Sequence, residues 1–137
     1  MSSDELLKKV IQWISFADED LQFAQQGLTL TKKPPCRLIA FHAQQCTEKY
    51  LKAFLVYKNV DFPYTHNITV LLELCAEHAD WTNELKDAET LSPFAISSRY
   101  PGEALDVTRD EAVNAIFIAT NVRNIVRKVL IKEGLNL

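Results

Sequence analysis

A run of polar side chains at helical spacing is the part of this sequence best suited to chemistry. Residues 41–54 read FHAQQCTEKYLKAF and carry four such side chains at intervals of three or four: His42, Gln45, Lys49 and Lys52. These intervals place side chains along one flank of an α-helix. An imidazole can exchange a proton near neutral pH, and ammonium groups attract anions. This flank could therefore face a phosphate or another anion.

The same flank also has a purely structural interpretation. His42 could be a boundary residue that hydrogen-bonds to a neighbouring helix, since an isolated histidine lacks the partner that catalysis needs. Glu48 precedes Lys52 by four residues, a spacing that favours an ion pair on the helix surface. An anion-binding flank and a solvated charged face are both compatible with the sequence.

Two other short segments carry candidate ligand-binding side chains. Tyr64-Thr65-His66 precedes an apolar helical pattern, so His66 could contact an anion at the helix start, or Thr65 could simply cap the helix. The segment Arg99-Tyr100-Pro-Gly combines a guanidinium, an aromatic ring and two turn formers. Arg99 could face a phosphate while Tyr100 stacks on a ligand, or Tyr100 could pack inward with Arg99 paired to an acid.

Composition and charge limit the possible classes of function. The 137 residues fit one domain, 1–137, with 47% apolar and 24% charged residues, as in ordinary folded proteins. A net charge of −3 gives no global attraction for nucleic acid, so a polyanion would need a local basic patch. We find no glycine-rich phosphate loop, no histidine pair at metal spacing and no cysteine cluster, and we expect no metal and no cofactor. Without a signal peptide or a long apolar run, the sequence predicts a cytoplasmic protein with no membrane contact.

The cysteines have no spacing typical of a functional site. Cys36, Cys46 and Cys75 are odd in number and form no C-x-x-C pair. Cys46 and Cys75 also fall within helical apolar patterns. We expect cysteines of this kind to serve as small buried hydrophobic residues.

Helical periodicity, broken at prolines and glycines, predicts an all-α protein: an up-and-down helical bundle of four main helices plus a short extra helix. The predicted helices run from Ser2 or Ser3 to about Leu30, from Pro34-Pro35 to about Tyr57, from after Asn67 to before Trp81, from Asn83 to about Leu91, and from Thr108 to about Glu133. Thr108 and Glu111 match a capping box at the start of the last helix. The main loop is expected to begin at Ser92-Pro93 and to end at Glu103.

The first predicted helix carries apolar residues on two sides. Its main seam consists of Leu7, Val10, Ile14, Ala17, Leu21, Ala24 and Leu28. Trp13, Phe16 and Phe23 form a second apolar stripe. A helix with two apolar sides either lies deep within a bundle or has a partner outside it.

Together with this organisation, four motifs give the chain a resemblance to the HEPN family of small helical domains. They are Trp13-x3-Ala17-x2-Asp20-Leu21-x2-Ala24, the segment from Phe41 to Ala53, Tyr64-Thr-His66 leading into Leu71-Leu72, and Ser98-Arg-Tyr-Pro-Gly102. The resemblance covers nearly the whole length. It implies an up-and-down bundle that often forms homodimers and is encoded beside a minimal nucleotidyltransferase, as in toxin–antitoxin pairs.

The resemblance also raises the question of catalysis. Many relatives are toxins that cut RNA with an arginine, followed after four to six residues by a histidine, near the start of a late helix. Here no histidine follows His78, and Arg37 and His42, which have the formal spacing, lie about 140° apart on a helical wheel. A tyrosine two residues beyond the histidine, adenylylated in some relatives, is Gln44 here. The sequence therefore leaves open whether the chain is an enzyme.

Three functional hypotheses follow. The first is a nucleotide- or RNA-binding component of a two-gene system with a minimal nucleotidyltransferase. The second is a metal-independent endoribonuclease toxin, and the third is a non-catalytic dimeric adaptor that docks through the second apolar stripe. Catalytic residues are not assigned, and the ligand-binding candidates are His42, Gln45, Lys49, Lys52, His66, Arg99 and Tyr100.

Overall fold

Residues 2–95 and 106–137 form four α-helices and one 3₁₀ helix. In chain order they are α1 (Ser3–Gly27), α2 (Cys36–Tyr57), α3 (Ile68–Ala76), the 3₁₀ helix (Trp81–Ala95) and α4 (Arg109–Lys132). This is a computed structural model that describes residues 2–95 and 106–137. The described residues contain no strand, and the prediction of an all-α helical bundle is confirmed.

Side chains supplied by the sequence fix three of the helix starts. Ser2 Oγ accepts a hydrogen bond from the Glu5 amide at 3.2 Å, and Asn67 Oδ1 caps α3. Thr108 Oγ1 accepts from the Glu111 amide while Glu111 Oε1 accepts from the Thr108 amide, both at 3.1 Å. Each cap satisfies an amide that has no partner within its helix. These helix starts were predictable because cap chemistry is local.

Two helix boundaries differ from the prediction by a few residues. α1 ends at Gly27, after which the Thr29 amide donates to the Gln26 carbonyl in a turn. α2 begins at Cys36, so the prolines precede the helix instead of forming its first turn. The reason is the ψ angle of Pro35, which at 77° lies outside the helical range.

The fourth predicted segment differs most from the structure. It is a 3₁₀ helix that extends from Trp81 to Ala95, with a kink at Leu85. Leu85, Ala88 and Leu91 are buried and recur every three residues, which matches the three-residue turn of a 3₁₀ helix. The predicted loop start at Ser92 is therefore wrong, and residues 96–103 of that loop lie outside the described residues.

α2 is the central helix, buried on most sides by α1, α4 and the α3–3₁₀ pair. Asp18 on α1 contacts both Tyr50 on α2 and Arg123 on α4. Lys58 and Glu133, at the C-terminal ends of α2 and α4, form an ion pair at 2.8 Å. α4 thus runs parallel to α2, and α1 runs antiparallel to both.

A close approach between α1 and α2 explains the glycine at the end of the first helix. A Cβ at Gly27 would lie 2.9 Å from Cγ1 of Ile39, which is shorter than a van der Waals contact. Ile39 packs beside Ala24 of α1 and Ala112 of α4. These small residues let three helices meet around one isoleucine.

The second apolar stripe of α1 is only partly buried. Trp13 packs against the core, whereas Phe16 and Phe23 are 52% and 54% exposed. Most of the predicted main seam is buried, although Leu7 is 38% exposed. Among the described residues, no helix combines the length and apolarity needed to cross a membrane.

Candidate functional site

A buried carboxylate on α1 holds two of the predicted ligand-binding residues. Asp20 is 9% exposed and points at α2. Its Oδ1 lies 2.8 Å from His42 Nδ1, and its Oδ2 lies 2.5 Å from Lys49 Nζ. Both oxygens are therefore satisfied, which compensates for the cost of burying the charge.

A second buried carboxylate, on α2 itself, organises the other side of the same flank. Glu48 is 3% exposed, and its Oε1 lies 2.8 Å from Nδ1 of His66 and 3.2 Å from Nε2 of Gln44. Its Oε2 accepts a hydrogen bond from Lys52 Nζ at 3.0 Å. Since His66 precedes α3, this carboxylate ties the connecting segment to α2.

Gln44 and Gln45 extend the Glu48 cluster along α2. Gln45 Nε2 donates to Gln44 Oε1 at 2.7 Å, and Gln44 Nε2 also donates to the His66 carbonyl at 3.2 Å. Gln44 is fully buried, whereas Gln45 is half-buried. Gln45 therefore supports the network through Gln44 while one side remains open to solvent.

The two carboxylates determine which ring nitrogen of each histidine is available. A carboxylate only accepts, so Nδ1 of His42 and of His66 must carry the proton in these hydrogen bonds. Nε2 has no hydrogen-bond partner within the described residues, and the side chains are 26% and 47% exposed. Each imidazole is thus oriented by a buried acid, belongs to a partly exposed side chain and keeps Nε2 available, an arrangement suited to binding or proton transfer.

Aromatic rings stand beside both histidines. The ring centroid of Phe23 lies 4.6 Å from that of His42, and the ring centroid of Phe41 lies 5.1 Å from it. Tyr64 lies 5.6 Å from His66 and is 92% exposed. Exposed rings of this kind can stack on planar ligands such as nucleobases.

Lys52 occupies a different environment from the one predicted. Its side chain is 5% exposed, so its ion pair with Glu48 is buried instead of lying on the surface. The ammonium also lies 5.5–5.9 Å from the ring centroids of Trp13, Phe62 and Tyr64. These cation–π contacts make Lys52 an internal support of the flank and not a free phosphate ligand.

A third acidic residue links the other face of α1 to α4. Asp18 accepts hydrogen bonds from the Tyr50 hydroxyl and from Arg123 Nε, the latter at 2.9 Å, and Arg127 Nη1 lies 3.7 Å away. Burial, followed by the hydrogen bond to Asp18, raises the pKa of Tyr50 above its usual value. This cluster joins three helices and is separate from the two histidines.

The structure brings five of the seven predicted residues onto one flank. His42 and Lys49 meet at Asp20, Lys52 and His66 meet at Glu48, and Gln45 joins through Gln44. Arg99 and Tyr100 lie outside the described residues. The structural interpretation of His42 predicts a hydrogen bond to a neighbouring helix, and the contact with Asp20 is such a bond. The same contact gives His42 the acidic partner that catalysis needs.

The residues at the centre of each cluster do not stand out in the sequence. Asp20, Glu48 and Gln44 were not singled out as site residues, because periodicity alone does not show which polar positions are buried. The sequence signal that could have identified the two acids is that Asp20 and Glu48 lie close to the apolar seams of α1 and α2. In the parts of the chain that the structure describes, no group of three or more histidine, cysteine, aspartate or glutamate side chains could hold a metal ion.

Comparisons with known proteins agree on the type of domain. A family model described as HEPN domain matches residues 10–129. The crystal structure of TT1696 from Thermus thermophilus superposes with a TM-score of 0.71 at 27% sequence identity, and the match covers 88% of this chain and 97% of that one. No curated protein matches the chain significantly.

Proposed function

The chain belongs to the HEPN domain family, and from this premise we propose that it binds a nucleotide or a short stretch of single-stranded RNA across the exposed flank of α2. The observation that carries the proposal is the pair of carboxylate-oriented histidines, His42 and His66. Each has its Nδ1 fixed by a buried acid, while its Nε2 makes no hydrogen bond to another described residue. Such a nitrogen can donate to a phosphate oxygen when the ring is protonated.

The flank is not a strongly basic surface, because each of its two lysines is paired with an acid. Its charge suits a ligand with a single phosphate group. Asp20 offsets Lys49, and Glu48 offsets Lys52. Each cluster is therefore formally neutral when its histidine is neutral and carries one positive charge when the histidine is protonated. We expect binding of a short ligand with moderate salt dependence.

The aromatic rings provide the second part of the binding surface. Phe23 and the nearly fully exposed Tyr64 stand beside the two histidines. Stacking of a base on such a ring contributes about 1–3 kcal/mol and tolerates any sequence. Hydrogen-bond donors for a phosphate lie next to rings that can stack on a base, and this combination favours a nucleotide ligand over an inorganic anion.

The wider biological setting is part of the same proposal. We place the chain in a toxin–antitoxin-like two-gene system with a minimal nucleotidyltransferase, acting as a single domain over 1–137 in the cytoplasm. Support for this setting comes from the HEPN family match. Co-purification with the product of an adjacent gene would test it directly.

Calorimetric titration with AMP, ATP and a short single-stranded RNA, at low and physiological salt, tests the binding proposal. We expect saturable binding that His42→Ala and Tyr64→Ala each weaken at least about fivefold, since loss of about 1 kcal/mol corresponds to that factor. His78→Ala is the matched control, because His78 is exposed and takes no part in either cluster. Equal losses in all three variants, or no binding at all, would contradict the proposal.

A second candidate function is metal-independent cleavage of RNA. One observation favours it: Asp20 and Glu48 give each histidine the orienting acid that a general base or acid needs. One histidine would remove the proton from the ribose 2′-hydroxyl as it attacks phosphorus. The other, or a second copy of the same group, would protonate the departing 5′-oxygen.

Incubation of end-labelled RNA with the purified protein, in the presence of a chelator, separates cleavage from binding. A nuclease would give fragments ending in a cyclic phosphate, and His42→Ala would abolish them while His78→Ala would not. Binding without fragments would reject this second candidate and leave the first intact.

A further inference from the structure

A surface pocket on α1 lies beside the candidate site and is not part of it. Its volume is about 310 Å³, and it is lined by Lys9, Gln12, Trp13 and Phe16. These positions are three or four residues apart, so their side chains share one face of the helix. A pocket of this size that combines aromatic rings with a few polar groups is typical of a small-molecule site.

Two aromatic rings line the pocket. Phe16 is 52% exposed, whereas Trp13, one turn earlier, is partly buried and packs against the core. The core contact restrains the indole, and the phenyl ring is accessible to a ligand. Rings of this kind stack on nucleobases, and a purine, which has two fused rings, offers a larger stacking area than a pyrimidine.

Two polar side chains accompany the rings. Lys9 and Gln12 are both exposed, and neither makes a hydrogen bond or an ion pair with another described residue. Glutamine amides pair with N6 and N7 of adenine, and lysine ammonium groups pair with O6 and N7 of guanine. N7 is present in both purines and absent from pyrimidines. The two polar side chains therefore suit the N7 edge of a purine.

One ammonium group connects this pocket to the flank of α2. Lys52 Nζ lies 5.5 Å from the ring centroid of Trp13 and 5.9 Å from that of Tyr64, so the two centroids are no more than 11.4 Å apart. Tyr64 in turn lies beside His66. A stacked strand advances about 3.4 Å per nucleotide, so about four nucleotides span the distance between the two rings.

We propose that the pocket binds a purine base of the same ligand that the flank of α2 binds, with the base stacked on Trp13 and Phe16. Gln12 and Lys9 then face the N7 edge of that base. The inference rests on the proposed function, because the flank supplies the phosphate contacts. It adds a preference for purines over pyrimidines, which stacking on Tyr64 alone does not provide.

A purine suits this pocket better than an apolar segment of another protein does. The third member of the second apolar stripe, Phe23, lies against His42 and so belongs to the candidate site. Without Phe23, the stripe offers two rings and two polar side chains. A stable protein interface buries about 800 Å² on each partner, which is much more than two rings provide.

Calorimetric titration with single-stranded RNA tetranucleotides tests the base preference. We expect tetraadenylate to bind at least about fivefold more tightly than tetrauridylate. The same oligonucleotide made with 7-deazaadenine lacks N7 but keeps its two fused rings, and it should lose most of this advantage. Gln12→Ala should remove the sensitivity to N7. Gln25→Ala, at an exposed glutamine of α1 outside the pocket, is the matched control and should preserve it.

Tryptophan fluorescence tests where the base binds. The chain has two tryptophans, so Trp81→Phe leaves Trp13 as the sole indole emitter. The indole nitrogen of Trp81 has no hydrogen-bond partner among the described residues, so the substitution removes no such bond. We expect tetraadenylate to quench Trp13 emission in a saturable way, and Phe16→Ala to weaken this binding at least about fivefold.

Three results would overturn the inference. The first is equal affinity for tetraadenylate and tetrauridylate, and the second is a sensitivity to N7 that persists in Gln12→Ala. The third is bound tetraadenylate that leaves Trp13 emission unchanged. In each case the proposed function stands as long as His42→Ala still weakens binding. If no oligonucleotide binds, the inference and the proposed function both fail.

Discussion

At the scale of single residues, three acids determine where the polar groups of the molecule lie. Asp20 orients His42, Glu48 orients His66, and Asp18 joins Tyr50 to two arginines. Asp18 and Asp20 are only two positions apart on α1, yet the helix directs them to different faces. Acids that are close in sequence can thus serve unrelated clusters.

The Glu48 cluster predicts a large effect on stability. Glu48→Leu leaves the buried Lys52 ammonium without its counter-ion, and we expect a loss of about 3 kcal/mol in the free energy of unfolding. Urea denaturation followed by circular dichroism measures this loss. The double variant Glu48→Leu/Lys52→Met is the control and should recover most of the stability. If the double variant is less stable than the single one, the buried pair is not the cause.

The Tyr50 cluster predicts a loss of stability in alkali. Burial and the Asp18 hydrogen bond raise the pKa of Tyr50, so the fold favours the neutral phenol. This contribution to stability is complete below the unfolded-state pKa, about 10, and is lost as the pH rises through the native value. The free energy of unfolding should therefore fall less steeply above about pH 10 in Tyr50→Phe than in the unaltered chain. Identical slopes would contradict the assignment.

The cysteines predict a simple pattern of thiol reactivity. Burial raises the pKa of Cys75 to about 12, and burial together with the nearby Asp18 and Asp20 raises that of Cys46 further. Both thiols should stay protonated and unreactive near neutral pH, because the thiolate is the reactive form. A disulfide reagent should label partly exposed Cys36 in the native protein and the other two only after unfolding. Rapid labelling of Cys36→Ser would refute this pattern.

At the scale of helices, capping residues in the sequence predicted helix starts better than apolar periodicity predicted helix type and length. The starts of α1, α3 and α4 follow from Ser2, Asn67 and Thr108, each of which caps its helix in the structure. The 3₁₀ helix was harder to predict, because Leu85, Ala88 and Leu91 fit both a distorted α-helix and a three-residue repeat. The 3₁₀ helix packs against α2, α3 and α4, and these tertiary contacts cannot be read from the local pattern.

The capping box of α4 gives a prediction at this scale. Thr108→Ala removes the bond to the Glu111 amide and should lower the free energy of unfolding by about 1 kcal/mol. Thermal and urea denaturation both report this change. Ser15→Ala, an exposed change within α1, should cost nothing measurable. Equal losses in both variants would show that the cap makes no specific contribution.

At the scale of the whole molecule, the bundle brings together residues that are far apart in the sequence. The sequence predicted the flank of α2, since His42, Gln45, Lys49 and Lys52 share one helix. It did not predict their acids, because contacts such as Asp20 with His42 depend on how α1 packs on α2. The burial of Lys52 escaped prediction for the same reason, since aromatic rings from α1 and from the segment before α3 surround it.

The most direct test of the central claim is an NMR titration of the histidine ring protons with a short single-stranded RNA. The chain contains three histidines, so each ring signal can be assigned by single substitution. We predict that the signals of His42 and His66 shift in a saturable way, because their Nε2 atoms face the ligand, while His78 does not change. Unchanged signals for His42 and His66 at saturating RNA, or equal shifts for all three rings, would contradict the proposed binding flank.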